Sequence, residues 1–230
     1  MSSGLTIQQK KDRKFGSWIA LVVCVLLLVA CGWFGYRWYV EGEQPPLIPV
    51  PASAMADPTI DESPVSGVEI NDHKVAPTQP RYISIPAIGV EKTRVIGVGL
   101  TKDKQLDTPK NINDTAWYTA SGLPGSGYGA VVIDGHNGGV TKDGIFAKLS
   151  QLKVDDEIMI ERGDGKKITY KVAENKTMSL KEANESGMKN MMLPIDPTKE
   201  GLSLITCAGN WVPRDKVFDK RVMLRAVAVN

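Results

Sequence analysis

The chain has 230 residues, 42% of them apolar and 23% charged, a globular composition rather than a disordered or collagenous one. Its net charge of +2 divides unevenly, with +4 on residues 1–40, −6 on residues 41–80 and +4 on residues 81–230. The last figure excludes the strong basic excess of a dedicated nucleic-acid binder. Three cysteines exclude a disulfide framework, and two histidines, His73 and His136, exclude a site built from several imidazoles.

Residues 1–16 form a basic N-terminus with Lys10, Lys11, Arg13 and Lys14, expected on the cytoplasmic side. An uncharged stretch of 22 residues follows from Phe15 to Tyr36. About 20 apolar residues cross a bilayer as a helix, and only a helix satisfies its own backbone there. Residues 17–36 therefore read as one transmembrane helix. Basic residues before it, against Arg37 alone just after it, put residue 37 onward outside the cell membrane. Trp33, Phe34, Tyr36, Trp38 and Tyr39 suit the outer interface. Two other readings stay open. One is a cleaved signal peptide, which has a shorter apolar core. The other is a lipobox at Leu28-Val29-Ala30-Cys31, with Cys31 lipidated.

Residues 37–80 read as a Pro-rich acidic linker. Residues 41–80 hold eight of the fourteen prolines and no Phe, Trp or Tyr. Such a segment buries too little apolar area to offset chain entropy, so it is expected to be extended or disordered, with His73 solvated.

From Arg81 to Asn230 the texture is that of a β domain. Strand patterns occur at 82–85, 93–98, 130–134, 156–162, 167–174, 202–206 and 221–229, with short helical patterns at 144–152 and 179–190. Seven or eight strands with minor helices predict a closed or nearly closed β-barrel, a form that removes exposed sheet edges.

The only cysteine outside the membrane segment is Cys207, unpaired in an extracytoplasmic domain, which flags either a reactive thiol or a buried inert one. It closes the strand pattern Ser203-Leu204-Ile205-Thr206-Cys207. His136 holds a matching place after the pattern Val131-Val132-Ile133-Asp134. A thiol and an imidazole at strand ends form a recurring nucleophile-and-acid unit. Arg221, in the final strand, would return beside Cys207 in a hairpin and could donate to an oxyanion. Arg214 and Arg225 compete with it, and strand alternation sets Arg225 on the same face as Arg221. No His/Cys cluster suggests zinc, and neither a metal nor another cofactor is expected.

Taken together, Ser203–Cys207, the upstream Gly135-His136 loop and Arg221, in that chain order, resemble the sortases, the cysteine transpeptidases of the Gram-positive cell surface. The resemblance covers about residues 81–230. It implies a mainly β fold, an eight-stranded sortase-like β-barrel with short helices behind one N-terminal transmembrane helix. It also implies that His136, Cys207 and Arg221 are catalytic, and that Thr206 orients substrate or thiol. The implied substrates are secreted proteins with an LPxTG-like C-terminal signal, and the acceptor is a cell-wall precursor amine or a pilin. Pilus-building members often carry an Asp-Pro-aromatic lid. Here Asp57-Pro58 is followed by Thr59, a departure that leans toward housekeeping anchoring. Val95, Ile96, Val98, Ile205 and Val222 are groove or core residues, with core favoured, and Trp117 and Trp211 could border a groove. Other classes remain: a surface Cys/His peptidoglycan hydrolase, an L,D-transpeptidase, or a non-catalytic anchored β-domain.

Overall fold

A computed structural model of the chain describes residues 13–46, 50–51 and 55–229. Residues 1–12 of the basic N-terminus, and 47–49 and 52–54 of the Pro-rich segment, lie outside the described residues. The first element is helix α1, Arg13–Glu41, which runs five residues past the expected span. Its part from Ser17 to Glu41 is long and apolar enough to cross a membrane and packs none of that stretch inside the protein. The helix end meets the barrel directly, where the Tyr39 carbonyl accepts the Arg214 N–H at 3.2 Å.

Eight strands close into a barrel in the order β1-β2-β3-β4-β7-β8-β6-β5. They are β1 Pro80–Ile85, β2 Val90–Val98, β3 Thr115–Tyr118, β4 Ala130–Gly135, β5 Glu157–Arg162, β6 Lys167–Ser179, β7 Gly201–Val212 and β8 Val217–Ala228. Two pairs are parallel, β2 with β3 and β4 with β7. Alternation sorts each strand into two faces. Val131 and Ile133, Leu202 and Leu204, and Val222, Leu224 and Ala226 fill the barrel interior. Val132, Ile205 and Met223, from the same three strands, form a second apolar cluster on the outer face with Ala183 and Met191. Leu202, Leu204 and Leu224 are fully buried there. Truncating one such leucine to alanine costs about 2–5 kcal/mol.

Three expectations change. The strand β3 was not expected, because its four residues carry too short an alternation to stand out between long loops. The pattern at 144–152 forms only a 3-10 turn, Leu149–Gln151. The pattern at 179–190 becomes a helical run in three pieces, Leu180–Glu182, the π turn Ala183–Gly187 and Met188–Met191. It is tied to the barrel where the Ser203 hydroxyl donates to the Met191 carbonyl at 2.8 Å.

The largest correction concerns the acidic segment. Residues 55–80 are laid along the barrel as an ordered strap with its own helix α2, Gly67–Asp72. Ser66 and Glu69 form a reciprocal capping box at its start. At its end, Arg81 donates to the carbonyls of His73 and Asn71 at 2.6 and 3.0 Å, and Tyr82 donates its hydroxyl to Ile70. These bonds satisfy carbonyls that a helix terminus leaves open. His73 is not solvated: its Nε2 donates to the Val95 carbonyl at 3.0 Å and its ring packs edge-on against Tyr82. Composition pointed to disorder because the strap buries little apolar surface of its own. Its order comes from polar groups that meet partners only on the folded barrel.

Candidate active site

The site lies on the outer face of β4, β7 and β8. Cys207 and Arg221 are direct cross-strand partners in the β7–β8 ladder. On the other side of β7, Asp134 of β4 pairs with Ile205. His136 lies two residues past this last pair, as Cys207 lies two past Ile205. Alternation turns Asp134, Ile205, Cys207, Arg221 and Met223 to the same side. Three adjacent strands therefore bring together side chains more than seventy positions apart in sequence.

Cys207 is not at a strand end. β7 continues to Val212, and beyond Ile205 it pairs with β8 alone, with a bulge between Ala208 and Trp211. The thiol sits where β4 stops, at the step between closed barrel and free hairpin. It is half-buried and unpaired. Burial pushes the thiol up to about 11; the Arg221 guanidinium pulls it down, and the carboxylates of Asp134 and Asp57 push it further up.

Register separates the competing arginines. Arg221 opposes Cys207, whereas Arg225 opposes Ser203, four residues and about 13 Å further along the strand. Arg225 is occupied elsewhere, donating to the Leu193 carbonyl at 3.1 Å and lying 3.8 Å from Glu174. Arg214 is exposed and forked onto Asp215 at 2.9 and 2.8 Å. Arg221 anchors one guanidinium nitrogen on the carbonyls of Phe218 and Lys220 at 2.9 and 2.8 Å.

His136 begins the loop after β4. Its Nε2 lies 2.6 Å from the Pro109 carbonyl, which can only accept, so Nε2 carries the proton of that bond. Its own carbonyl accepts the Phe146 N–H at 2.9 Å. Gly144 packs so closely beneath that a Cβ there would lie 2.2 Å from the His136 carbonyl oxygen. Thr206 lies on the opposite side of β7 from Cys207. Its side chain is 1% exposed and points inward, and its hydroxyl donates to the Gly135 carbonyl at 2.7 Å. It pins β4 to β7 one residue before each of His136 and Cys207.

Sequence reasoning missed Asp134 as a site residue. A lone carboxylate in the apolar strand 130–134 was the available signal. It is 7% exposed. Burial pushes it up to about 7, while the Gly135 N–H and the Arg221 guanidinium pull it back. Asp57 was also unweighted as a neighbour of the thiol. Its carboxylate sits in a tight turn, accepting the Thr59 N–H at 2.8 Å and the Thr59 hydroxyl at 2.7 Å.

Of the apolar candidates, Val95, Val222 and Trp117 belong to the barrel interior. Trp117 donates to the Gly122 carbonyl at 3.2 Å. Trp211 packs edge-on against Phe218 with ring centroids 5.3 Å apart. Ile205 lies in the outer cluster beside the thiol, with Met178, Met188, Leu106 and Tyr118 packed around it. Ile96 and Val98 line a cleft of about 610 Å³ that also touches Pro109.

A family model described as "Sortase domain" matches residues 83–229. Among solved structures, sortase A from Corynebacterium diphtheriae is similar at 21% identity and TM-score 0.50, the match covering 90% of this chain and 83% of that one. Sortase C-1 from Actinomyces oris is similar at 19% identity and TM-score 0.50, covering 80% and 91%. Sortase C1 of GBS Pilus Island 1 is similar at 18% identity and TM-score 0.48, covering 66% of this chain and 65% of its own. No curated protein sequence matches the chain.

Proposed function

The chain belongs to the sortase family, and from that premise we propose that it is a membrane-anchored cysteine transpeptidase acting through Cys207, His136 and Arg221. It cleaves an LPxTG-like sorting signal near the C-terminus of secreted proteins and joins the acyl product to a cell-surface amine, a cell-wall precursor or a pilin. The observation that supports the reading is Cys207 directly opposite Arg221 on an outer face shared with Asp134 of β4, the strand from which the chain passes on to His136.

In this mechanism the Cys207 thiolate attacks the carbonyl carbon of the scissile Thr–Gly bond. The oxyanion that forms is stabilised by the Arg221 guanidinium, already held on the carbonyls of Phe218 and Lys220. As the C–N bond breaks, His136 gives a proton to the leaving amine. With Nε2 engaged on Pro109, Nδ1 is the nitrogen that delivers it. The thioester is then attacked by the acceptor amine, whose proton returns to His136, and the thiolate leaves. A thiol raised to about 11 is mostly protonated at neutral pH. The thiolate is a minority state, and Arg221 is the group that favours it.

The apolar helix α1 anchors the barrel in the membrane, with the N-terminus in the cytoplasm and the barrel outside, as the flanking charges direct. Housekeeping anchoring is the proposed role, on the departure from the pilus-type lid at Thr59. The test uses the full chain in detergent micelles with LPxTG-like peptides and candidate amines, read by mass spectrometry. The wild type forms a thioester adduct on Cys207 and an amide product, whereas Cys207→Ala forms neither while keeping its thermal melt. Equal turnover by Cys207→Ala would end the mechanism.

A further inference from the structure

Residues 61–63 of the strap bond to both loops that flank His136. On one side, the Asp61 N–H donates to the Lys110 carbonyl at 3.0 Å and the Asp61 carbonyl accepts the Ile112 N–H at 2.9 Å. Asn111 and Asn113 donate to the Ser63 carbonyl at 2.9 and 3.0 Å. This is the loop whose Pro109 carbonyl accepts the His136 Nε2–H. On the other side, Glu62 accepts the Val140 N–H and, through both carboxylate oxygens, the Thr141 N–H at 3.1 and 3.2 Å, together with the Thr141 hydroxyl. The Lys142 ammonium donates to the Glu62 backbone carbonyl at 2.9 Å.

We propose that Glu62 is a positioning residue for His136: its carboxylate gathers the N–H groups of Val140 and Thr141 and so fixes the loop from which the imidazole projects. The catalytic consequence rests on the transpeptidase reading above. One tripeptide thereby sets both the loop that carries His136 and the carbonyl that orients its ring. Gly139 is part of the arrangement, because a Cβ there would lie 2.4 Å from the Glu62 carboxylate and 3.0 Å from Ile112. The Thr141 hydroxyl and the N–H groups of Thr141 and Val140 hold the Glu62 carboxyl below its ordinary value, which keeps it an anionic acceptor at neutral pH. The strap lies before residue 83, where the family match begins, so the catalytic unit starts upstream of it.

A brace and a cover predict opposite signs. The strap also brings Asp57 near the thiol, and a strap that merely covered Cys207 would speed turnover when loosened. A brace slows it. The experiment compares the full chain with Glu62→Ala and Glu62→Gln in detergent micelles. For an LPxTG-like peptide, Glu62→Ala is expected to lower kcat roughly 10- to 100-fold, the size of effect that a small misplacement of a catalytic group produces. KM stays within about twofold, because the groove is untouched. Glu62→Gln keeps an amide oxygen for the N–H groups and loses less. Alkylation of Cys207 by iodoacetamide proceeds at the wild-type rate in both variants, since neither the thiol nor Arg221 is altered.

Because the chain has two histidines, their ring signals are distinguishable by NMR. In Glu62→Ala the His136 signal shifts or broadens and the His73 signal stays. If the alanine variant melts out, Thr141→Val, which removes the hydroxyl donor alone, is expected to show the same His136 change in smaller measure. Unchanged or raised kcat in a folded Glu62→Ala, or an unmoved His136 signal, overturns the proposal. A wild type that cleaves no such peptide sinks the transpeptidase reading, and the His136 signal still decides the clamp.

Discussion

Replacing Asp134 with Asn removes a buried carboxyl beside the candidate nucleophile and leaves an amide of the same shape that still accepts from Gly135. In the folded chain this carboxyl is raised from 3.8 to about 7 by burial. The sign follows from proton counting. Between about pH 4 and pH 7 the folded chain holds a proton that the unfolded chain releases, so stability falls as pH rises through that window. Below it both states are protonated and Asp134 costs nothing by this route. Above it the full cost is present. A shift of about three units corresponds to roughly 4 kcal/mol as an upper bound. For a domain of this size that is an increase in Tm of about 8–16 °C at most.

Thermal melts of the wild type and Asp134→Asn by circular dichroism, at pH values from 4 to 8, read this directly. The two should melt together near pH 4 and separate progressively, with Asn the more stable, up to a plateau above pH 7. The thiol supplies a second readout. The Asp134 carboxylate pushes the Cys207 thiol up, so Asp134→Asn should lower it below about 11 and speed iodoacetamide labelling at pH 8. A difference in Tm that does not vary with pH, or a wild type that gains on Asn as pH rises, would refute the reasoning.

Three further outcomes are expected. Arg221→Ala should raise the Cys207 thiol above its present value and lower kcat by about 10²–10³, the usual cost of one oxyanion donor; pH-dependent alkylation and peptide turnover check the two effects separately. Thr206→Val should leave the Gly135 carbonyl short of a buried donor and lower stability by about 1–3 kcal/mol, read by urea melts, without the KM increase that a substrate contact would show. His73→Ala should lose about 1 kcal/mol of stability through its bond to the Val95 carbonyl and leave kcat unchanged, which distinguishes the two histidines by kinetics.

What could be read from sequence follows from which interactions are local. A run of 22 uncharged residues makes its own backbone hydrogen bonds as a helix whatever the rest of the chain does, so the apolar helix was legible at once. Seven of the eight strands showed themselves by their period, and β3 did not because four residues leave almost no period to detect. The order His136, Cys207, Arg221 pointed to a thiol site because reactive side chains are few in this chain, not because their meeting could be calculated.

The tertiary structure decided the remainder, since it depends on register and on contacts between distant segments. Arg221 and Arg225 share a face by alternation, and only the β7–β8 register sets one opposite Cys207 and the other opposite Ser203. Thr206 precedes Cys207 in sequence, yet a period of two turns it inward. Asp134 looked like a strand-end carboxylate until the parallel β4–β7 pairing buried it beside the thiol. The strap reversed its composition most completely. Its prolines and acids cannot form a core, but Glu62 and Asp61 need no core, only the backbone N–H and carbonyl groups that the folded loops on either side of His136 present. Local pattern specified the elements, and long-range pairing specified which side chains meet.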